Sequence, residues 1–492
     1  MLIKRLSVLL ALALILCGCS APATDSSTGE TDSPFFTVVD FYGINDLHGK
    51  LDDGDKHPGV DEMTTFLRNA VENNDHTVLL SAGDMWQGSS ESNMTQGHII
   101  TDWMNEMDFA GMAVGNHEFD WGEDPVASNA EIAEFPLLAI NIYDRDTDQQ
   151  VPYCKSSVVI QRGGIQIGII GAIGDCYSSI APERVEGVYF KTGDELTDLV
   201  KAESSKLRSQ GVDFIVYTLH DGLGESSGNK LTNVRSEEIA SYYDISLSDG
   251  YVDLVFEGHT HQQYLLRDEY GVCHLQGGGD NDGITHAKLI IDTVTGESQL
   301  ITAELLNSDT YSSLDDDPLI DSLLNRYDEQ IAPALRIVGT NIVNRSRNEM
   351  RQLVADLYLD AGIERWGEKY DIVLGGGFIS IRSPGYLAAG PVAYSMLQSL
   401  FPFDNELVLC SIKGSDLQSR FMESDNSNYF ISYSTYGQRL RERIDPNETY
   451  YIIVDSYSST YAPNRLTEVE RYGADLFARD LLARYIEKGG LQ

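Results

Sequence analysis

Positive charge is scarce in this chain of 492 residues: 35 Lys and Arg stand against 76 Asp and Glu, giving a formal net charge of -41. A surface that acidic repels polyanions, which argues against long nucleic acid as a partner. A small phosphorylated ligand stays compatible, because metal ions and a few arginines override the surrounding field inside a closed pocket. Cysteine is scarce too. The six cysteines form no CxxC pair, which argues against a structural zinc site. Histidine numbers only ten, so where those ten fall carries information. No internal repeat is present, which sets solenoid architectures aside.

The first residues read as an export signal. Lys4 and Arg5 precede the apolar run Leu6 to Cys17, which is too short to span a bilayer. The run ends in Leu16-Cys17-Gly18-Cys19-Ser20, a bacterial lipobox pattern that places residues 1–19 in a lipoprotein signal, with cleavage before Cys19 and lipid on its sulfur. Plain secretion is the alternative. Residues 20–34, rich in Ser, Thr, Asp and Pro, read as a flexible tether. The expected location is extracytoplasmic, anchored to the bacterial membrane. Cys154, Cys176, Cys273 and Cys410 would remain in the mature chain, widely spaced, with a disulfide among them left open by the oxidising compartment.

A chain this long calls for two or three domains. From residue 35 to 305, short apolar runs alternate with helix-like stretches, the pattern of a layered α/β domain. Thr37 to Ile44, Thr77 to Ala82, Phe214 to Leu219 and Val252 to Phe256 are the clearest strands. Met63, Phe66, Leu67, Ala70 and Val71 recur at helical spacing between the first two. Residues 306–336 predict an acidic linker helix with Leu319, Ile320, Leu323, Leu324 and Tyr327 on one side. A second, smaller α/β domain occupies 337–492, opening on a helix over Glu349 to Ala361 and closing on one over Ala474 to Lys488.

The residues able to carry chemistry cluster just past the strand ends. Asn45-Asp46-Leu47-His48-Gly49 and Gly83-Asp84-Met85-Trp86-Gln87-Gly88-Ser89 come after the first two strands, and Gly115-Asn116-His117-Glu118-Phe119-Asp120 comes next. His220 ends the third strand, and Gly258-His259-Thr260-His261 lies just beyond the fourth. Carboxyl ends of strands in an α/β sheet open into one crevice, so these five loops should converge. Five of the ten histidines fall in them; His57, His76, His98, His274 and His286 read as ordinary structural residues. Carboxylates and imidazoles together suit zinc, manganese or iron, and two such ions can clamp both oxygens of a phosphoryl displacement. Gly83, Gly115 and Gly258 are expected to let the backbone turn sharply beside the ligands.

The series NDLHG, GDMWQGS, GNHEFD, LHDG and GHTH, in this order, resembles the calcineurin-like metallophosphoesterases, in particular the bacterial 5'-nucleotidase and UDP-sugar hydrolase branch. The resemblance covers nearly all of the mature chain. It implies a metallophosphoesterase sandwich followed by a nucleotide-binding domain. One metal would be held by Asp46, His48, Asp84 and His261, the other by Asp84, Asn116, His220 and His259, with Asp84 bridging. His117 matches the transition-state histidine of the family, oriented by Asp120, and the implied reaction is in-line attack of hydroxide on nucleoside 5'-monophosphates.

In the second domain, Gly375-Gly376-Gly377-Phe378-Ile379-Ser380-Ile381-Arg382 resembles the glycine-rich stretch of the family that ends in arginine. Phe401-Pro402-Phe403-Asp404-Asn405 resembles its Pro-Phe-Gly-Asn element, which makes Phe403 the candidate base-stacking ring and Asn405 its neighbour. Tyr457 falls near the position of the second stacking aromatic; an ordinary strand-end tyrosine is the competing reading. The chain departs from the family pattern in lacking the asparagine before the glycines and in spacing Gly377 two residues farther from Arg382. Ser458-Ser459-Thr460-Tyr461-Ala462 replaces Gly-Gly-Asp-Gly-Tyr, and Met350-Arg351-Gln352 replaces Leu-Gly-Asn. These departures leave the metal loops intact and bear on substrate choice. Arg345, Arg347 and Arg351 are cationic candidates for gripping a phosphate or carboxylate, or else solvated surface residues. Competing readings are a 2',3'-cyclic nucleotide phosphodiesterase, another organophosphate hydrolase, and, from a different class, a lipid-anchored solute-binding receptor.

Overall fold

The computed structural model describes residues 35–51, 59–224, 236–382, 385–422, 429–440, 443–460, 466–473 and 476–491. The export signal, Cys19 and the tether therefore lie outside the described residues, as does His57. None of the described helices is long and apolar enough to cross a membrane.

Two six-stranded sheets build the first domain. One has the order Ser298–Asn307, Gly283–Asp292, Phe36–Ile44, Val78–Ser81, Phe109–Ala113, Leu137–Leu138; the other runs Gln263–Arg267, Cys273–Gly277, Leu254–Glu257, Phe214–His220, Ile165–Ile173, Ser157–Arg162. Their central strands pair in parallel. Parallel strands bury both faces and so read as continuous apolar runs, and Val78–Ser81 and Phe214–His220 are buried at every position. Val39, Phe41, Val78, Leu80 and Leu138 from one sheet meet Ile167, Ile169, Phe214, Val216, Leu254 and Phe256 from the other in a single apolar layer. Helix Val60–Asn73 covers the outer face of the first sheet through Met63 and Leu67, while Val71 on the same helix turns outward. Helix Asp194–Ser209 covers the second through Val200 and Leu207.

Residues 306–336 are not one helix. The strand Ser298–Asn307 extends into this segment, and helix Pro318–Arg326 begins only where Asp317 caps it through the Leu319 N–H at 2.9 Å. It stops at Tyr327, whose φ of -102° and ψ of 9° leave the helix and whose hydroxyl bonds Asp102 at 2.9 Å. A short second helix, Asp328–Ile331, comes after it. Leu319, Ile320 and Leu323 bury into the core of the first domain, so this connection is packed rather than free.

The second domain is a five-stranded sheet, order Tyr429–Tyr433, Ile372–Phe378, Thr449–Asp455, Leu407–Lys413, Leu466–Arg471. Helices Arg347–Trp366 and Ala478–Glu487 pack on one face through Val354, Tyr358, Leu482 and Ile486. Ser346 and Glu349 form a reciprocal capping box that starts the first of these helices. Tyr457 leaves the sheet and sits in the helical turn Ser456–Thr460 rather than at a strand end. The two domains touch where Ser90 Oγ donates to Gln398 Oε1 at 3.1 Å and where Arg471 faces Glu183 at 3.4 Å.

Candidate active site

All five loops meet at one end of the sandwich, as strand direction requires. The backbone bends abruptly there. Asp46, His48, Asp84, His259 and His261 all have φ between 51° and 71°, the left-handed region that side chains with a Cβ normally avoid. Each such residue costs about 1–3 kcal/mol and persists only where the surroundings impose it. The glycines serve partly for a different reason than chain turning. Gly83 has a φ of 90°, but Gly115 is needed for space: a Cβ on it would stand 2.3 Å from Asp84 Oδ1 and 2.6 Å from Asp84 N. A Cβ on Gly258 would likewise stand 3.0 Å from Asp46 Oδ2.

Asp46, His48, Asp84, Asn116, His220, His259 and His261 are brought together. The Nε2 atoms of His48 and His261 lie 3.1 Å apart, and His261 Nε2 lies 3.4 Å from Asp46 Oδ1. His220 Nε2 lies 3.1 Å from both Asp84 Oδ2 and Asn116 Oδ1, and His259 Nδ1 is 2.9 Å from the same Asn116 oxygen. Asp46 falls in two ligand groups, one with His48 and His261 and one with Asp84 and His220, so it shares the joining position expected of Asp84.

The tautomers expose the imbalance. His220 Nδ1 donates to Ala82 O at 2.7 Å, and His48 Nδ1 donates to Gln87 O at 2.7 Å. Each ring then presents Nε2 as a lone pair, and His220 Nε2 faces a carboxylate oxygen and an amide oxygen that are acceptors as well. Three acceptors at 3.1 Å need a cation between them. The donor set of imidazole nitrogens, carboxylate oxygens and one amide oxygen fits divalent zinc, manganese or iron. Without an ion a proton takes that place: burial lowers the His220 pKa, but the Asp84 charge and hydrogen bond reverse this and raise it to about 10. Burial and the charge on His220 push His259 the other way, to about 4.

His117 stands beside the cluster without joining it. Its N–H donates to Asp84 Oδ1 at 2.8 Å, and its Nδ1 lies 2.8 Å from Asp120 Oδ2. Burial lowers its pKa; Asp120 and Asp84 outweigh burial and raise it, while Arg382 pulls against them. Of the second-domain candidates, Arg382 and Phe403 arrive here. Arg382 Nη2 lies 3.3 Å from His117 Nε2, its guanidinium sits 5.2 Å from the Phe403 ring, and that ring is 5.5 Å from the imidazole of His117. Asn405 lines an adjoining cavity with Tyr358, Ser380 and Asp455. Tyr457 is 39% exposed with its ring 5.8 Å from Phe378. Arg347 donates to Ile381 O at 3.0 Å, next to Arg382, and Arg351 is buried against Phe430.

Sequence reasoning passed over several residues. Glu118 is fully buried and accepts the N–H groups of Asp84, Met85, Trp86 and Gly115 at 2.7–3.2 Å, pinning one ligand loop to another. Burial and the Asp84 charge raise its pKa to about 7, against the His220 charge and the N–H groups of Asp84 and Gly115. His274, assigned no role, lies between Glu257 at 2.7 Å and Asp268 at 3.3 Å; Gln276 on the same strand accepts from Thr260 Oγ1 and Gln262 N, holding the His259–His261 loop from behind. All four cysteines of the mature region are buried and free.

Residues 40–263 match the family model described as calcineurin-like phosphoesterase. The likeness is confined to the first domain and covers less than half of the chain. Over 463 residues the chain is 25% identical to the endonuclease YhcR of Bacillus subtilis, covering 85% of this chain and 36% of that protein. It is 23% identical over 472 residues to the UshA protein of Yersinia enterocolitica, covering 84% of this chain and 83% of the relative. Among solved structures, the 5'-nucleotidase precursor of Thermus thermophilus matches with a TM-score of 0.67 and 18% identity over 92% of this chain and 96% of that one, a likeness of fold. The first domain thus resembles the calcineurin-like phosphoesterases, enzymes with a dinuclear divalent metal centre, and its clustered acceptors are candidate ligands for such ions.

A metal ligand must be a neutral imidazole, whereas His220 in the metal-free protein carries a proton at pH 7. Loading zinc or manganese at that pH is therefore expected to release about one proton per chain from this site, and affinity should weaken as pH falls. Calorimetry in buffers of differing ionisation enthalpy measures the release; uptake with no proton released would mean that His220 does not change state.

Proposed function

We propose that this chain is an exported phosphoesterase that hydrolyses nucleoside 5'-monophosphates, and nucleotide sugars as a further class, to release phosphate. The observation that supports the reading is one crevice holding both the converging acceptors and the His117–Asp120 pair, 2.8 Å apart. Asp46, His48, Asp84 and His261 would hold one divalent ion, and Asp84, Asn116, His220 and His259 the other. When bound, such ions supply charge neutralisation at the phosphoryl group and an activated water.

The other tasks fall to protein groups. Asp120 fixes the Nδ1 proton of His117, leaving Nε2 to face the phosphoryl or leaving-group oxygen and to hold a proton there. Arg382, now 3.3 Å from that same Nε2, would place a fixed positive charge on the phosphoryl group. Phe403 offers a ring face for the base, with Asn405 and Tyr457 beside it. The cavity along Phe403 and Asn405 holds only about 20 Å³, room for a single water. The name 5'-nucleotidase carried by a relative from Diplobatis ommata, 26% identical over 455 residues, favours a nucleotide within the organophosphate class.

His117→Ala is expected to retain its metals while turnover falls by roughly 100-fold or more, the scale of losing a proton-holding or charge-stabilising group. Phosphate release with parallel metal analysis checks this, and joint loss of metal and activity would make His117 a ligand instead. Phe403→Ala is expected to raise KM for a nucleoside monophosphate by about 1–3 kcal/mol of binding, and to affect p-nitrophenyl phosphate much less. Equal effects on both substrates would remove the support for nucleotides and leave the phosphoesterase reading standing. The lipid anchor is tested separately: Cys19→Ala should move the protein from the membrane fraction to the soluble one, and an unchanged distribution would refute lipidation at that residue.

A further inference from the structure

Cys176 stands at the crevice although nothing in its sequence surroundings marks it. It lies in the turn Asp175–Ser179 directly after the strand Ile165–Ile173, which pairs in parallel with Phe214–His220 so that Ile173 is opposite His220. The residue thus belongs to the same row of strand ends as the ligand candidates. Asp221 holds the turn in place by accepting the Asp175 N–H at 2.7 Å, and a Cβ on Gly174 would collide with that carboxylate at 2.1 Å. Cys176 Sγ donates to His220 O at 2.9 Å and is 6% exposed.

The decisive placement is toward the imidazoles: Sγ and one nitrogen each of His220 and His259 lie within 4.8 Å of one another. Around a zinc ion with sulfur at about 2.3 Å and nitrogen at about 2.0 Å, neighbouring ligands stand about 3.5 Å apart. Movement on the order of an ångström therefore brings all three into one coordination shell. Among the described residues, Cys154, Cys273 and Cys410 fall in no such group.

We propose that Cys176 is a thiol ligand at the edge of the His220–His259 subsite, biasing that subsite toward thiophilic ions such as zinc over manganese. The proposal rests on the two-metal reading above. As the sulfur–metal bond forms, the S–H bond breaks, its electron pair stays on sulfur and the proton passes to solvent, with no change of oxidation state. Soft thiolate ligands select against manganese, which prefers oxygen.

Cobalt(II) titrated into the metal-free full chain tests this directly. The wild type is expected to bind about two ions and to show an intense near-ultraviolet sulfur-to-cobalt charge-transfer band. Cys176→Ser should keep the cobalt and lose the band, with zinc affinity falling about 10- to 100-fold and manganese affinity changing less than about twofold. Cobalt bound by the wild type without a sulfur band would overturn the proposal, and needs no variant to show it. A band that survives in Cys176→Ser would overturn it too, as would equal losses of zinc and manganese affinity, which would reduce the thiol to a support for the His220 carbonyl. Failure of the wild type to bind any cobalt would instead sink the two-metal reading itself.

Discussion

Acceptors outnumber protons where the strands end, and the first domain is arranged around that imbalance. His220 Nε2 stands 3.1 Å from both Asp84 Oδ2 and Asn116 Oδ1, with the Nδ1 proton of its ring already committed to Ala82 O. Such a cluster is unfavourable unless a cation neutralises it. The protein nonetheless imposes it, holding five of the clustered residues in left-handed backbone and placing Gly115 where only a hydrogen fits against Asp84. Glu118 closes the frame by taking four backbone N–H groups from two loops. Backbone strain, close approach and a buried carboxylate together describe a site whose stability depends on what it binds.

The second domain answers the same electrostatics from outside. Positive charge is rare in this chain, and Arg382 stands against His117 and over the Phe403 ring, where on the proposed reading it would meet the phosphoryl group. Arg347 steadies the neighbouring Ile381 carbonyl. The linker that connects the domains is anchored to the first through Leu319, Ile320 and Leu323, and through Asp102 with Arg326 and Tyr327. Beyond Tyr327 the chain continues through the short helix Asp328–Ile331 into a stretch where Leu335 and Ile337 are exposed.

How much the sequence revealed depends on how local each feature is. The ligand loops were readable because a strand, its terminal carboxylate or histidine and the adjacent glycine are contiguous, and strand direction then makes them converge. Glu118 was hidden inside a motif already read for its neighbours, since its role depends on N–H groups of residues 84–86, more than thirty positions away in the chain. His274 and Cys176 were invisible for the same reason: Glu257, Asp268 and His220 become their partners only through strand pairing. The break at Tyr327 escaped periodicity because apolar spacing continues through it while its hydroxyl bond to Asp102 is tertiary.

Recognition is divided between the domains by chemistry as much as by fold. On the proposed reading the acceptor cluster and His117 would meet only a phosphoryl group and its leaving oxygen, and any preference among leaving groups would come from Phe403, Asn405 and their surroundings. A net charge of -41 repels a long polyanion from the surrounding surface. The relative named an endonuclease is nearly three times longer than the region it shares with this chain, which spans 36% of it. On the proposed reading a small phosphorylated molecule would escape that repulsion inside the crevice, where it would face Arg382 and cation-seeking acceptors instead of the acidic exterior.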